Sequence, residues 1–274
     1  MRSRFSFIAA MTRLGGVGAL VLAGTLALSA GPAMAAPSVS PPVAYTCSGG
    51  DLASGNFFSI PSGNYASITV TGVCNVVPDA VINVVGNIYV AAGGVFDAQS
   101  APSTITVGQN VIAAAGSLLG LGCLPNPLPH MTGHPCTVDP AESSNITVNG
   151  NVIAIDANTV LLNGITVKGN VMLIGGGEQA GNPWPIKTNT IGGNLVVLGA
   201  TPEWLGVVVN KIGGNVILGN ITIAEGETID VGNNTIGWNL ICWNLAPAVS
   251  GGVVPGEVNV VGGKDIGQCP LTSD

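Results

Sequence analysis

Acidic side chains recur at a near-constant offset from a repeated asparagine. Asp97, Glu178, Glu203 and Glu225 stand 10, 8, 9 and 10 residues after Asn87, Asn170, Asn194 and Asn215. If those asparagines mark equivalent places in stacked units, the four carboxylates form one stripe on one side. Such a stripe would hold a cation or the hydroxyls of a sugar chain; the plainer alternative is a set of polar residues at exposed turns. Glu225 and Glu227 alternate onto one side of an extended segment, with Asp230 close by in sequence. Oxygen ligands of this kind make a weak Ca²⁺ site the one cofactor worth naming, and no other is implied. Trp204 directly follows Glu203, which puts a ring for stacking on sugar beside a carboxylate. Trp184, Trp238 and Trp243 are the other tryptophans. In a repeat fold such rings also serve as covers over apolar coils, and Trp238, inside a Gly-x-Asn corner, is expected to pack structurally.

Catalytic constellations are thin. A polysaccharide lyase needs a base, commonly Arg or Lys, with acids holding a cation, and a hydrolase needs two carboxylates across a cleft. Neither set is legible, so no catalytic residue is assigned. Two cysteines and two histidines in "CLPNPLPHMTGHPC" (Cys123, His130, His134, Cys136) have zinc-ligand chemistry. The prolines and an even cysteine count favour a disulfide-closed loop instead, and no metal ligand is assigned. Asn145-Ile-Thr147, Asn220-Ile-Thr222 and Asn233-Asn-Thr235 match a glycosylation sequon. They are read as Asn and Thr in turns.

The element that must position these residues is a repeat. Asparagines preceded by glycine or a close variant fall at Asn87, Asn110, Asn151, Asn170, Asn194, Asn215 and Asn239, in steps of 23, 41, 19, 24, 21 and 24. The long step is one repeat plus an insertion at 121–143. Units of about 20 to 25 residues indicate a solenoid. Scarce helix formers and abundant Val and Ile make it all-β. "ITV" and "NVIAI" alternate with period two, as strands do. Glycine is expected to supply the left-handed or tight backbone of the corner, and the seven asparagines to stack as an amide ladder. The fold expected is a single-domain right-handed parallel β-helix with coils of about 19–25 residues spanning 77–241.

The ends read differently. Arg2, Arg4 and Arg13 precede an apolar run that closes on Ala33-Met34-Ala35, the pattern of a secretory signal peptide over 1–35. Residues 36–46 read as a flexible mature N-terminus. The mature chain then has four lysines against 14 acids, or −10, and no arginine. That excludes nucleic-acid binding, for want of a phosphate footprint. No apolar run in the mature chain spans a membrane. Export implies disulfides. Pairing nearest neighbours gives Cys47–Cys74, Cys123–Cys136 and Cys242–Cys269. The first and last staple an N-terminal cap (47–76) and a C-terminal cap (242–274), each contributing about 3 to 4 kcal/mol for a loop of roughly 27 residues.

The stretches "FFSIPSGNYASITVTGVC", "VINVVGNIYVAAGGVFDA", "TIGGNLVVLGATPEW" and "NVVGGKDIGQC" resemble a group of uncharacterised secreted β-helix proteins of actinobacteria. The resemblance covers essentially the whole mature chain. It implies a right-handed parallel β-helix outside the cell and brings no established reaction or catalytic residue. A more distant likeness is to bactofilins, which polymerise and are not exported. The function expected is a secreted, non-catalytic solenoid with a structural or glycan- and wall-binding role, its partner a polysaccharide or a surface protein. A β-helix polysaccharide lyase or hydrolase and a self-assembling surface element are the alternatives.

Overall fold

The computed structural model describes residues 41–125, 133–178, 181–250 and 258–269. The signal peptide read at 1–35, His130 and the last five residues lie outside them. Among the described residues there is no helix, and every pairing between named strands is parallel. The chain winds as a β-solenoid of about nine turns. Most coils give one strand to each of three faces. The coil Ala80–Val84, Ile88–Val90, Val95–Ala98 is typical. Its strands pair with Ser103–Val107, Val111–Ala113 and Leu118–Leu121 of the next coil.

Strict alternation divides each strand between a common interior and a face-specific exterior. Inside, Val, Ile and Leu stack into one core from Ile60 to Leu245. Outside, the three faces differ. Ala80–Val84 begins a hydroxyl face, whose outward column runs Asn83, Thr106, Thr147, Thr166, Thr190, Lys211, Thr235. Ile88–Val90 begins an aliphatic face, whose outward column runs from Tyr89 and Ile112 through Ile153, Met172, Val196 and Ile217 to Ile241 and Ile266. Val95–Ala98 belongs to a polar face of nine strands, from Phe58–Ile60 to Val249–Ser250.

Corners are held by asparagine. Between the hydroxyl and aliphatic faces, each asparagine donates its Nδ2 to the Oδ1 of the one a coil earlier. The bonds run from Asn110 on Asn87 (3.2 Å) to Asn239 on Asn215 (3.0 Å). The backbone N–H of the later residue donates to the same oxygen. Glycine precedes most of these asparagines because there is no room for a side chain. A Cβ on Gly169, Gly193 or Gly214 would lie 2.5 Å from the Oδ1 of Asn151, Asn170 or Asn194. The expected left-handed backbone lies instead at the other two corners. Between the polar and hydroxyl faces, Gly164, Thr188, Val209 and Asn233 have φ of 70°, 59°, 60° and 57°. Between the aliphatic and polar faces, Asp156, Gly175, Gly199, Asn220 and Asn244 lie in the same region.

A second ladder lies inside the hydroxyl face. Asn189, Asn210 and Asn234 are 1–2 % exposed. Asn189 donates through Nδ2 to Asn210 Oδ1 (3.0 Å), Asn210 to Asn234 (3.0 Å) and Asn234 to Asn259 (2.8 Å). Donation therefore runs toward later coils here and toward earlier coils in the first ladder. Each buried Nδ2 also donates to a carbonyl of the polar-face strand or its end: Asn189 to Leu162, Asn210 to Ile186, Asn234 to Val207.

The disulfides are Cys47–Cys74, Cys123–Cys136 and Cys242–Cys269. Cys47 pairs in register with Val70 on the aliphatic face and Cys74 with Phe96 on the polar face, so the first bridge crosses the interior. The segments read as caps carry strands of the same parallel stack, such as Val73–Val76 and Asp265–Gly267.

Candidate functional site on the polar face

The polar face gathers most of the charged and aromatic groups that do more than meet solvent. One outward column contains Ser59, Asn75, Asp97 and Gly120, and further on Pro185, Gly206, Asp230 and Ser250. Next to it, Asn163 is in register with Lys187, and Lys187 with Val208. Trp204 enters from the corner and lies against Gly206. A Cβ there would sit 2.0 Å from the ring's Cη2, so only glycine lets the ring reach the sheet. Trp204 Nε1 donates to Asp230 Oδ2 at 2.8 Å. Ser250 Oγ donates to the other oxygen of Asp230. Lys187 Nζ stands 5.9 Å from the centroid of the Trp204 ring, within cation–π range. The set Lys187–Trp204–Asp230–Ser250 thus spans four consecutive coils.

The insertion is tied to this face. Cys123–Cys136 closes it, and Leu124 N–H donates to His134 O at 2.9 Å. Val138 N–H donates to Ser100 O at 3.0 Å, which anchors the loop to the coil of Asp97. Burial pushes the His134 imidazole below its usual pKa, the Lys187 charge pushes the same way, and Asp97 opposes both. Burial also lowers Lys187. His134 therefore sits within electrostatic reach of both charges. Asn163, fully buried, has neither amide atom hydrogen-bonded; Gln99 Oε1 and Thr188 Oγ1 are buried without partners too. Unmet buried polar groups are rare and costly. Here Asn163 stands in the column of the half-buried Lys187, and Thr188 follows Lys187 in the chain.

The residues singled out from sequence do not form one stripe. Asp97 is on the polar face, 8 % exposed, and its carboxylate is taken up by its own turn. Oδ1 accepts the N–H groups of Gln99 and Ser100, and Oδ2 accepts Ser100 Oγ at 2.5 Å. Glu178, Glu203 and Glu225 instead lie on successive coils of the corner between the aliphatic and polar faces. Backbone bonds from Glu203 N–H to Asn182 O and from Ala224 N–H to Glu203 O join those coils. Glu178, Glu225 and Glu227 are exposed, and Glu203 is half-buried. Asp230 is committed to Trp204 and Ser250. Among the described residues no three His, Cys, Asp or Glu side chains come together as a metal group. Cys123 and Cys136 are bonded to each other, which removes the thiolates a zinc site would need.

The tryptophans divide. Trp184 is fully buried and donates through Nε1 to Asn158 O (3.0 Å), a cover over the core. Trp238 does not pack as expected. It is 64 % exposed and borders a depression of about 290 Å³ with Gly237, Asn239, Gly262 and Gly263. Sequence reading missed Lys187 as part of a site, although its place one coil above Trp204 follows from the repeat. It also gave no role to Asn163. Compared with protein-family models, with curated proteins and with solved structures, the chain matches none of them.

Proposed function

We propose that the protein is a secreted, non-catalytic β-solenoid that binds cell-wall or surface glycan and serves as a rigid surface element. The observation that carries this reading is the Lys187–Trp204–Asp230 set, held on a rigid sheet with Glu203 beside it. An amphipathic ring edged by a cation and by hydrogen-bonding oxygens suits a saccharide better than an apolar ligand. The polar-face carboxylates of Asp97 and Asp230 already accept two or more bonds each, which fits a binding role better than paired acid–base work. Three disulfides fit an oxidising compartment. Among the described residues no helix is long and apolar enough to cross a membrane.

The test is to incubate the oxidised mature chain with purified wall and a panel of polysaccharides. Depletion from solution and the appearance of reducing ends or unsaturated products are followed together. Depletion without products is the expected outcome. Products would instead favour a lyase or hydrolase, for which the Lys187 amine, its pKa lowered by burial so that more of it is unprotonated, would be the first group to replace.

A further inference from the structure

The exterior of the aliphatic face is the largest feature that the glycan-binding reading leaves unused. Its outward positions from Tyr89 to Ile241 include no charged side chain. Tyr89 is 41 % exposed, Met172 38 % and Ile266 44 %. A parallel column one step over adds Ile155, 51 % exposed, with Ile174 and Leu198 in register beneath it. Trp243, on Gly219, continues it. Eight rungs at about 4.8 Å make the strip roughly 34 Å tall, and two outward columns with their side chains make it about 15 Å wide. That is roughly 500 Å² per copy, at the top of what single monomers leave open. Two such strips with their flanking corners approach the ~1,200 Å² at which specific association begins.

The corners on either side carry opposite charge. Toward the hydroxyl face stand Lys168 and Lys264, both exposed. Toward the polar face stand Asp156, Glu178, Glu203 and Glu225. Lys168 and Glu178 belong to one coil, on either side of Val171–Ile174.

We infer that two copies of the chain pair through their aliphatic faces with their solenoid axes parallel. A two-fold axis along the solenoid keeps each coil at its own height and exchanges left for right. The lysine corner of one copy then meets the acidic corner of the other, with Lys168 opposite Glu178 of its partner. Antiparallel pairing would set acidic corner on acidic corner. An acidic chain is also poorly suited to an anionic lipid surface, so a second copy is the favoured occupant. This pairing is independent of glycan binding and uses a different face.

The test is sedimentation of the oxidised mature chain across a concentration series, beside Met172→Glu, Lys168→Glu and the swap Lys168→Glu/Glu178→Lys. Met172 points outward, so its variant should keep the thermal midpoint. The expected result is a reversible dimer whose dissociation constant rises at least about tenfold in Met172→Glu and in Lys168→Glu and recovers in the swap. A chain that stays monomeric throughout would overturn the proposal, as would a dimer that survives Met172→Glu. Loss in Met172→Glu without recovery in the swap would overturn the parallel arrangement. Pelleting with zwitterionic vesicles that Met172→Glu abolishes would assign the face to lipid.

Discussion

The aliphatic and polar faces are built on the same coils, and their strands bury the same kinds of side chain. Both even carry a tryptophan laid on a glycine, Trp243 on Gly219 and Trp204 on Gly206. They differ in what the outward positions hold. On the aliphatic face the ring is in register with Gly219, has no hydrogen-bonding carboxylate or ammonium partner among the described residues, and is 41 % exposed. On the polar face the ring is half-buried, tied to Asp230 and faced by Lys187. In a solenoid the inward positions specify the coil and are nearly interchangeable between faces. The outward columns are free to differ, and there the functional character of each side resides.

The corners sharpen this contrast most. Asn210→Ala would strip two donors of Asn189 and the carbonyl of Ile186 of buried partners. A loss of about 4 kcal/mol is expected in urea unfolding. Asn194→Ala, in the half-buried ladder beside the aliphatic face, should lose only about 1 kcal/mol, because water can replace the amide. Equal losses would break the distinction between the ladders.

The two glycines come next. Gly206→Ala drives a methyl into Trp204 and breaks its bond to Asp230, so about 2 kcal/mol should be lost, with a shift in tryptophan emission. Gly219→Ala meets Trp243 Cζ2 at 2.3 Å, yet that ring can swing into solvent. A loss nearer 1 kcal/mol is expected there. Smaller still, and of opposite sign, is Val209→Asn. A β-branched residue at φ 60° is strained, and Asn233 already holds the same corner one coil later. The replacement should gain about 1 kcal/mol by calorimetry.

Mild acid should act first on the polar face. His134 has its pKa lowered in the folded state, so its contribution to stability is present above the unfolded value of 6.5. It is lost as pH falls from there through the folded value. Hydrogen exchange near Cys136 and Ser144 should quicken below that pH, while the aliphatic strands stay protected. His134→Gln should flatten the dependence.

The first ladder was readable because Asn after Gly recurs at coil spacing, and a constant period survives any uncertainty about individual turns. The second was equally present. Asn189, Asn210 and Asn234 each stand five residues before a first-ladder asparagine, in "NTIGGN", "NKIGGN" and "NTIGWN". It escaped because the same position holds Ile105, Ile146 and Ile165 in earlier coils, so the column changes chemistry midway. One sequon proves to be part of it: Asn234 is a ladder residue, and only Asn233 is at the turn. The acidic stripe kept Glu178, Glu203 and Glu225 at one corner but lost Asp97, for a related reason. Counting from the asparagine ignores the variable length of the next corner, and Glu178 and Asp97 part company there. The aliphatic face stayed hidden because inward and outward aliphatics look alike until register separates them.

The most direct test of the account compares two tryptophan variants in one wall-binding isotherm, Trp204→Ala on the polar face and Trp243→Ala on the aliphatic face. If the outward columns assign glycan binding to the polar face, Trp204→Ala loses binding at least about tenfold and Trp243→Ala stays close to the wild type. Both should still unfold in one cooperative transition, Trp243→Ala near the wild-type midpoint and Trp204→Ala below it because Asp230 loses a partner. Equal loss in both variants, or loss only in Trp243→Ala, would contradict it.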